Sequence, residues 1–352
     1  MSGSPSPSTT DVGVPAFPDV TVLLGDPRLP DLTKVDAVYS REDLESVQRL
    51  KTALAVLPGY QFHFLDDHGT LLGDLLARPP QFVLNLCDTG FRNTAAFELH
   101  VPALLEMLQV PYSGATPACM CLCFDKSLVR AAAAALGIAV PREKSVDSDD
   151  PAPDLPDAFP ALLKPNTGDG SLGITQESVV HDREQARSCL ARLRAQLPGR
   201  AVLMQEFLQG PEYGVCLVGN PGAGFEVLPV LEVDYSALDE GLPRILGYES
   251  KTLPDSPYWN QVRFRGADLS PARKDRLVQQ SQRLFARLGC RDYARFDFRS
   301  GLEGEPRLLE VNPNPAWCWD GKMNFMAGFA GYSESDLFGL ILEAAQKRYT
   351  SG

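Results

Sequence analysis

The apolar residues of this chain alternate between two spacings, and the alternation predicts the order of its elements. Thr21-Val-Leu-Leu24 is a short apolar run that stops at Gly25-Asp26-Pro27, the signature of a buried strand entering a loop. From Arg41 to Leu57 the spacing becomes helical, with Leu44, Val47, Leu50, Leu54 and Leu57 on one stripe. Tyr60–Leu65 and Phe82–Leu86 read as further strands, and Ala95–Gln109 as a helix that Pro102 starts or kinks. Strand and helix thus alternate over the first hundred residues, as in an open α/β domain.

Phe124–Gly137 is alanine-rich with a glycine stop and reads as a helix, whereas Asp147–Pro160, dense in aspartate and proline, must be a loop. A second set of elements follows. Strands are predicted at Phe159–Lys164, Val202–Phe207, Gly214–Val218, Val227–Val233, Tyr293–Phe298 and Arg307–Val311, and helices at Arg183–Gln196, Pro271–Leu288 and Ser335–Lys347. No internal repeat is present. The first eighteen residues, rich in serine and proline, read as a disordered tail without signal-peptide character.

Composition narrows the class. A chain of 352 residues with 44% hydrophobic content can bury a substantial core. Its formal net charge of -12 opposes nucleic acid and anionic membranes, so neither is expected as a partner. Eight cysteines lack the spacing of a disulfide framework, and no apolar run nears the ~18 residues of a transmembrane helix, so a cytoplasmic protein is expected. Cys119-x-Cys121-x-Cys123 lacks zinc-site spacing and reads as small buried side chains.

Candidate chemistry begins at Lys164-Pro-Asn-Thr-Gly-Asp-Gly-Ser-Leu-Gly173, where Gly168, Gly170 and Gly173 spell G-x-G-x-x-G. A dinucleotide fingerprint would open directly into a helix. Here Ile174-Thr-Gln-Glu-Ser-Val-Val180 follows, β-branched and capless, so no helix N-terminus can receive a pyrophosphate. The alternative is a glycine loop between two strands that folds over nucleotide phosphates, with Lys164 as a point charge. That reading requires hard oxygen ligands for magnesium. Asp297, followed by Glu310 and Asn312 at i, i+2 spacing on one strand face, supplies them. Val202–Tyr213 supplies an apolar edge for adenine and Glu212 for a ribose.

With these parts in this order, the chain resembles the ATP-grasp carboxylate-amine ligases, and among them the D-alanine-D-alanine ligase-like branch. The resemblance runs from about Phe82 to the C-terminus and rests on Val110-Pro-Tyr-Ser-Gly114, Asp125-Lys126, Lys164 with its glycine loop, Gln205–Glu212, Ala294-Arg-Phe-Asp297 and Glu310-Val-Asn312. It implies an α/β protein of ATP-grasp fold. An N-terminal α/β domain (19–118) would precede a central subdomain (119–210) and a C-terminal one (211–352), the last two clamping ATP. It also implies site residues. Lys126, Lys164 and Lys251 would contact phosphates under the loop of Gly168, Gly170 and Ser171. Gln205, Glu206, Phe207 and Leu208 would hold adenine and Glu212 the ribose. Asp297, Glu310 and Asn312 would bind two Mg2+ ions, with Mn2+ as a substitute, and Arg295 would stabilise the acyl phosphate and tetrahedral intermediate. Small carboxylate and amine substrates and a homodimer are the implied partners.

The chain departs from that branch where amino acids bind. Gly25-Asp-Pro-Arg-Leu-Pro-Asp31 lacks a Ser-x-Glu pattern, the loop reads Asp169-Gly170-Ser171 in place of Gly-Ser-Ser, and Asn85–Arg92 replaces the usual His-Gly segment. Pro315-Ala-Trp-Cys-Trp-Asp-Gly-Lys322 replaces the stretch that holds a carboxylate-binding serine. Trp317 and Trp319 are then expected as an apolar wall, and Arg92 or Lys322 as a substrate-carboxylate ligand. The expectation is an amide-forming ligase with altered substrates. A genuine D-alanine-D-alanine ligase and an inactive nucleotide-binding protein are the alternatives.

Overall fold

The computed structural model describes residues 15–168 and 170–350. β1 (Asp19–Leu23), α1 (Arg41–Ala55), β2 (Gln61–Leu65), α2 (Leu71–Ala77), β3 (Phe82–Asn85) and α3 (His100–Met107) form a first unit. Its strands are parallel in the order β2-β1-β3, so their C-terminal ends, where loops carry chemistry in α/β sheets, share one edge. A capping box between Ser40 and Asp43 starts α1. Leu50 and Leu54 anchor it in the core, but Leu44 is exposed, so the predicted stripe buries only the later turns.

The tail expected to reach Pro18 stops earlier. Phe17 stacks on Phe82 with ring centroids 5.6 Å apart, and its N–H donates to Gln346 Oε1 at 3.2 Å. The aromatic ring drives this, since an apolar side chain of that size gains by leaving water. Residues 1–14 of that tail lie outside the described residues.

α4 (Pro117–Phe124), unpredicted, and α5 (Lys126–Ala135), inside the helix predicted over Phe124–Gly137, lead to a second sheet. Thr116 caps the first and Asp125 the second. Cys119 and Cys123, one turn apart on α4, face Cys290 in the core, as expected for small buried side chains, while Cys121 is exposed. The second sheet is antiparallel and runs β4 (Glu143–Val146), β7 (Val202–Glu206), β5 (Ala161–Pro165), β6 (Val179–Val180), with α6 (Arg183–Gln196) between β6 and β7 in the chain.

The third sheet holds β8 (Glu212–Asn220), β9 (Gly224–Val227), β10 (Leu231–Asp234), β11 (Arg263–Gly266), β12 (Tyr293–Ser300) and β13 (Pro306–Asn312). Its order is β11-β10-β8-β12-β13, with β9 also pairing β8. The single strand predicted over Val227–Val233 is two, because Pro229 has no N–H for a ladder and divides β9 from β10. Short helices α7 (Glu249–Thr252) and α8 (Pro257–Gln261) precede β11. α9 (Pro271–Leu288) buries Leu277, Leu284 and Phe285 against the sheet. α10 (Lys322–Phe329), unpredicted, and α11 (Glu334–Thr350) close the chain. Among the described residues no helix is long and apolar enough to cross a membrane.

One buried carboxylate ties these units together. Asp292 is fully buried and accepts hydrogen bonds from Gly114 N at 2.8 Å, Asn220 Nδ2 at 2.9 Å and both Nε and Nη2 of Arg348 at 2.9 and 2.8 Å. Those partners belong to the segment leaving the first unit, to β8 and to α11. Removing one partner of a buried, hydrogen-bonded ion pair costs about 3–5 kcal/mol, because the other charge stays buried. Arg348→Met is therefore expected to lower stability by about 3 kcal/mol or more, read as a shifted denaturation midpoint. A loss below about 1 kcal/mol would remove Asp292 from this role.

Candidate active site

Alternation along β12 sends Ala294, Phe296 and Phe298 into the core and turns Arg295 and Asp297 to the other face. Across the antiparallel ladder Asp297 stands opposite Glu310, and Arg295 opposite Asn312. The register slips after Asp297, leaving Leu309 as the extra residue, and its carbonyl accepts from Arg130 Nη1 at 2.5 Å. The three predicted metal ligands thus share one face of one hairpin.

Asp297 is already held. Arg295 grips it with a two-pronged ion pair, Nε to Oδ1 at 2.9 Å and Nη2 to Oδ2 at 3.1 Å, and Lys322 Nζ lies 3.3 Å from Oδ2. Burial opposes the charge of this carboxylate, but the two cations hold it well below the usual carboxylate range. Lys322 Nζ also reaches Glu212 Oε1 at 3.5 Å. Glu212 on β8 further accepts from Tyr235 Oη at 3.0 Å and Arg299 Nη1 at 3.3 Å.

Glu310 and Asn312 are less engaged. The nearest cation to Glu310 is Lys126 Nζ, 3.9 Å from Oε2, and Asn312 Nδ2 is buried without a hydrogen-bond partner. Desolvation works against charge on Glu310, yet Lys126, Lys164 and Arg295 lower its pKa. An ionised carboxylate beside an amide with an open hydrogen-bonding position is a donor pair that fits a hard divalent cation, since amide oxygen and nitrogen exchange by a flip. Among the described residues no three His, Cys, Asp or Glu side chains form a metal cluster, so the amide is needed to complete the set.

Cations crowd this face. Lys126 leads α5, where its N–H donates to Asn166 O at 3.0 Å and its Nζ to Gly168 O. Lys164 on β5 is buried, and desolvation, reinforced by Arg130 and Lys126, pushes its pKa down to about 7. Lys251 on α7 still meets solvent, but desolvation at the cleft wall and repulsion from Lys322 and Arg295 lower it to about 8.

The glycine loop joins β5 to β6. Gly168, Gly170, Ser171 and Gly173 all have positive φ, the last three near the left-handed region. Thr175 and Ser178 form a capping box, so the segment is not capless, but they cap one three-residue 3-10 turn before β6 and no helix follows. The dinucleotide reading stays excluded. Asp169 lies outside the described residues. Ser171 Oγ donates to Leu246 O at 3.2 Å, Tyr248 N to Ile174 O at 2.7 Å, and a Cβ on Gly170 would lie 3.2 Å from Thr33 Cγ2. The loop is therefore closed against two other segments.

The adenine candidates are partly committed. Gln205 is buried and donates to Glu143 Oε2 at 2.8 Å, while the Glu206 side chain pairs with Arg142 and Arg307. The N–H of Glu206 donates to Arg142 O and that of Phe207 to Pro160 O, so the backbone group Glu206 can offer a base is its carbonyl. Leu208 is buried beside them.

The substrate candidates separate. Arg92 is exposed on a turn at φ 57°. Trp319 is half-exposed beneath the Arg49 guanidinium of α1, 4.3 Å from the ring centroid, and Trp317 is buried with Nε1 donating to Leu86 O at 2.8 Å. Trp317 is therefore no open wall, whereas Trp319 carries Arg49 over its ring and keeps nearly half of its surface exposed. Lys322 points at Glu212 and Asp297, which satisfies its ammonium without any substrate carboxylate.

Sequence reasoning missed a second polar group at the ends of β1 and β3. Asp88, two residues beyond the predicted strand, interacts with Asp31, Lys34 and Trp317, and burial pushes its carboxyl up to about 6. Asp31 is buried with Oδ2 unpartnered. The position of Asp88 past the end of a parallel strand was the available signal.

Comparison with known proteins decides the family. The family described as D-ala D-ala ligase C-terminus matches residues 155–343. This chain belongs to the D-alanine-D-alanine ligase family. The D-alanine-D-alanine ligase of Bordetella pertussis is 30% identical to it over 82% of this chain and 86% of its own length. An uncharacterized protein, y4sG of Sinorhizobium fredii, is 32% identical over 78% of each. The crystal structure of the Bacillus anthracis D-alanine-D-alanine ligase complexed with ATP superposes with a TM-score of 0.70 over 95% of this chain and 99% of that one, at 20% identity. The fold is ATP-grasp, and the family is one of carboxylate-amine ligases.

Lys164 gives a test in the ligand-free protein. An unfolded lysine keeps its proton to about 10.4, whereas native Lys164 loses it above about 7, so in that window the unfolded state binds more protons and stability rises with pH. Unfolding at pH 7 and pH 9 should show a gain in the wild type that Lys164→Met reduces by about half or more, the remainder belonging to Lys251, which titrates at about 8. Equal gains in both would place the titration elsewhere.

Proposed function

We propose that the protein joins a carboxylate to an amine of amino-acid size, using ATP and releasing ADP and phosphate. The observation that carries this reading is the convergence of Lys126, Lys164, Lys251 and Arg295 on the face of Asp297, Glu310 and Asn312, beside a closed glycine loop. So much positive charge, partly desolvated, suits a polyphosphate and a developing oxyanion.

In the mechanism proposed, adenine lies along Gln205–Leu208 and the ribose against Glu212. Lys126, Lys164 and Lys251 hold the phosphates beneath Gly168, Gly170 and Ser171. Mg2+ held by Glu310 and Asn312 would neutralise charge on the transferred phosphoryl group. The substrate carboxylate oxygen attacks the γ-phosphorus, the bond to the β-phosphate oxygen breaks, and ADP leaves. The amine nitrogen then attacks the acyl phosphate carbon, Arg295 stabilises the oxyanion, and phosphate departs as the nitrogen gives up a proton. The closed loop keeps water from the acyl phosphate.

Asp88 and Asp31 support an ammonium-bearing substrate at the ends of β1 and β3. The Lys34 ammonium, the Cys87 and Cys318 thiols and the Tyr39 and Tyr293 phenols are other titratable groups of that corner. This differs from a Ser-x-Glu arrangement and supports altered substrates. The likeness to the Bordetella enzyme favours D-alanine as the second reading.

Phosphate release should be measured with ATP and Mg2+ against pairs of amino acids, D-alanine included, with mass spectrometry of each product. Release that needs two partners and yields their amide supports the ligase reading; D-alanine alone sufficing selects the second reading, and release without condensation product excludes both. With an accepted pair, Arg295→Ala should lower turnover about a hundredfold or more while ATP still binds. Asp88 loses its proton above about 6, so KM for an ammonium substrate should fall as pH rises through 6. Asp88→Asn should flatten that limb; a wild-type KM flat from pH 5 to 7 would exclude Asp88 from the contact.

A further inference from the structure

Lys322 opens α10 directly after the cap residue Gly321, and its side chain is only 13% exposed. Its ammonium lies between two buried carboxylates, 3.3 Å from Asp297 Oδ2 and 3.5 Å from Glu212 Oε1. The β8–β12 register explains the access. Gly214, not a side chain, stands opposite Asp297, and Arg299 stands opposite Glu212, so the two carboxylates are diagonal neighbours with an open position between them. A Cβ on Gly214 would already lie 3.7 Å from Asp297 Oδ1.

Both oxygens of Asp297 meanwhile carry the guanidinium of Arg295. A magnesium ion binds carboxylate oxygen at about 2.0–2.1 Å and demands near-octahedral surroundings. An oxygen that already meets an ammonium and a guanidinium has no room for that shell unless Lys322 withdraws. Glu310 and Asn312 contrast with it, one with its nearest cation at 3.9 Å and the other with an unpartnered amide nitrogen. Three ligands that would ordinarily share two ions are divided here into an open pair and an occupied carboxylate.

We propose that the Lys322 ammonium stands in for one of the two divalent cations, so that the protein binds a single metal ion with ATP, at Glu310 and Asn312. This rests on the ATP-dependent reading above. Lys322 then supplies a fixed positive charge where the second ion would neutralise phosphate oxygens, and it is a positioning residue for Asp297 as well.

The test is the number of Mn2+ ions bound per chain, counted by electron paramagnetic resonance of free Mn2+ during titration of the protein saturated with a non-hydrolysable ATP analogue. The wild type is expected to bind one ion. Lys322→Met, which keeps the length and removes the charge, is expected to bind two, and Lys322→Arg to stay at one. Two ions on the wild type would overturn the proposal even if Lys322→Met failed to fold, as would one ion on a folded Lys322→Met protein, checked by thermal melting with the analogue. Failure of the wild type to bind the analogue would overturn the ATP reading together with the proposal, which separates the two failures.

Discussion

Asp297 sits on β12 among cations that outnumber the acids around it, and its carboxylate is the counter-charge that lets them share the cleft. Arg295 and Lys322 bind it directly, Lys251 feels both, and Glu310 feels Arg295. Without this carboxylate, Arg295 and Lys322 would repel each other at low exposure, and a buried unpaired charge is among the most destabilising features a protein can hold. The remaining strain is visible on Lys164 and Lys251, whose protons are held less tightly than on a free lysine. In the function proposed, a polyphosphate would relieve that strain, which would link the packing of the hairpin to its chemistry.

The scaffold makes such a charge arrangement tolerable. Phe296 and Phe298 pack on α9 and α4 side chains on one face of β12 while Arg295 and Asp297 occupy the other, so the rigid core fixes the polar geometry. The bulge at Leu309 binds Arg130, which also pairs with Glu143 of the second sheet. Arg130 therefore ties the sheet that carries Lys164 to the hairpin that carries the acids. Asp292 performs the corresponding service between the first unit and the third, through Gly114, Asn220 and Arg348.

Much of this was legible where one period dominated. α6 and α9 begin and end where their apolar stripes and first-turn residues, Asp182 as cap and Pro271, predict. The i, i+2 spacing of Glu310 and Asn312 carried over to the hairpin because side-chain alternation is a local property of a strand. α4 escaped because Pro117-Ala-Cys-Met-Cys-Leu-Cys-Phe124 has no polar face and hence no period to detect. α10 escaped for a similar reason, with Gly328 and two phenylalanines spread around its turns. The partners of Lys322 and Trp319 were beyond reach for another reason. Each is decided by a contact of long sequence separation, with Glu212 on β8 and Arg49 on α1.

The glycine loop joins these arguments. Three glycines and Ser171 hold it in positive-φ conformations, which lowers the cost of a tight turn but supplies no force to keep it closed. That force comes from elsewhere: Lys126 reaches the carbonyl of Gly168, Ser171 reaches Leu246, and Tyr248 reaches Ile174. Each contact uses one hydrogen bond at the cleft's rim, worth about 1 kcal/mol or somewhat more where the donor is charged. In the function proposed, the Lys126 ammonium would exchange the carbonyl for a phosphate oxygen, a stronger partner, so an entering nucleotide would weaken one latch while offering the loop's own N–H groups a better one. On that reading opening and closing would be nearly balanced, as a loop that must admit one molecule and exclude water from the next step requires.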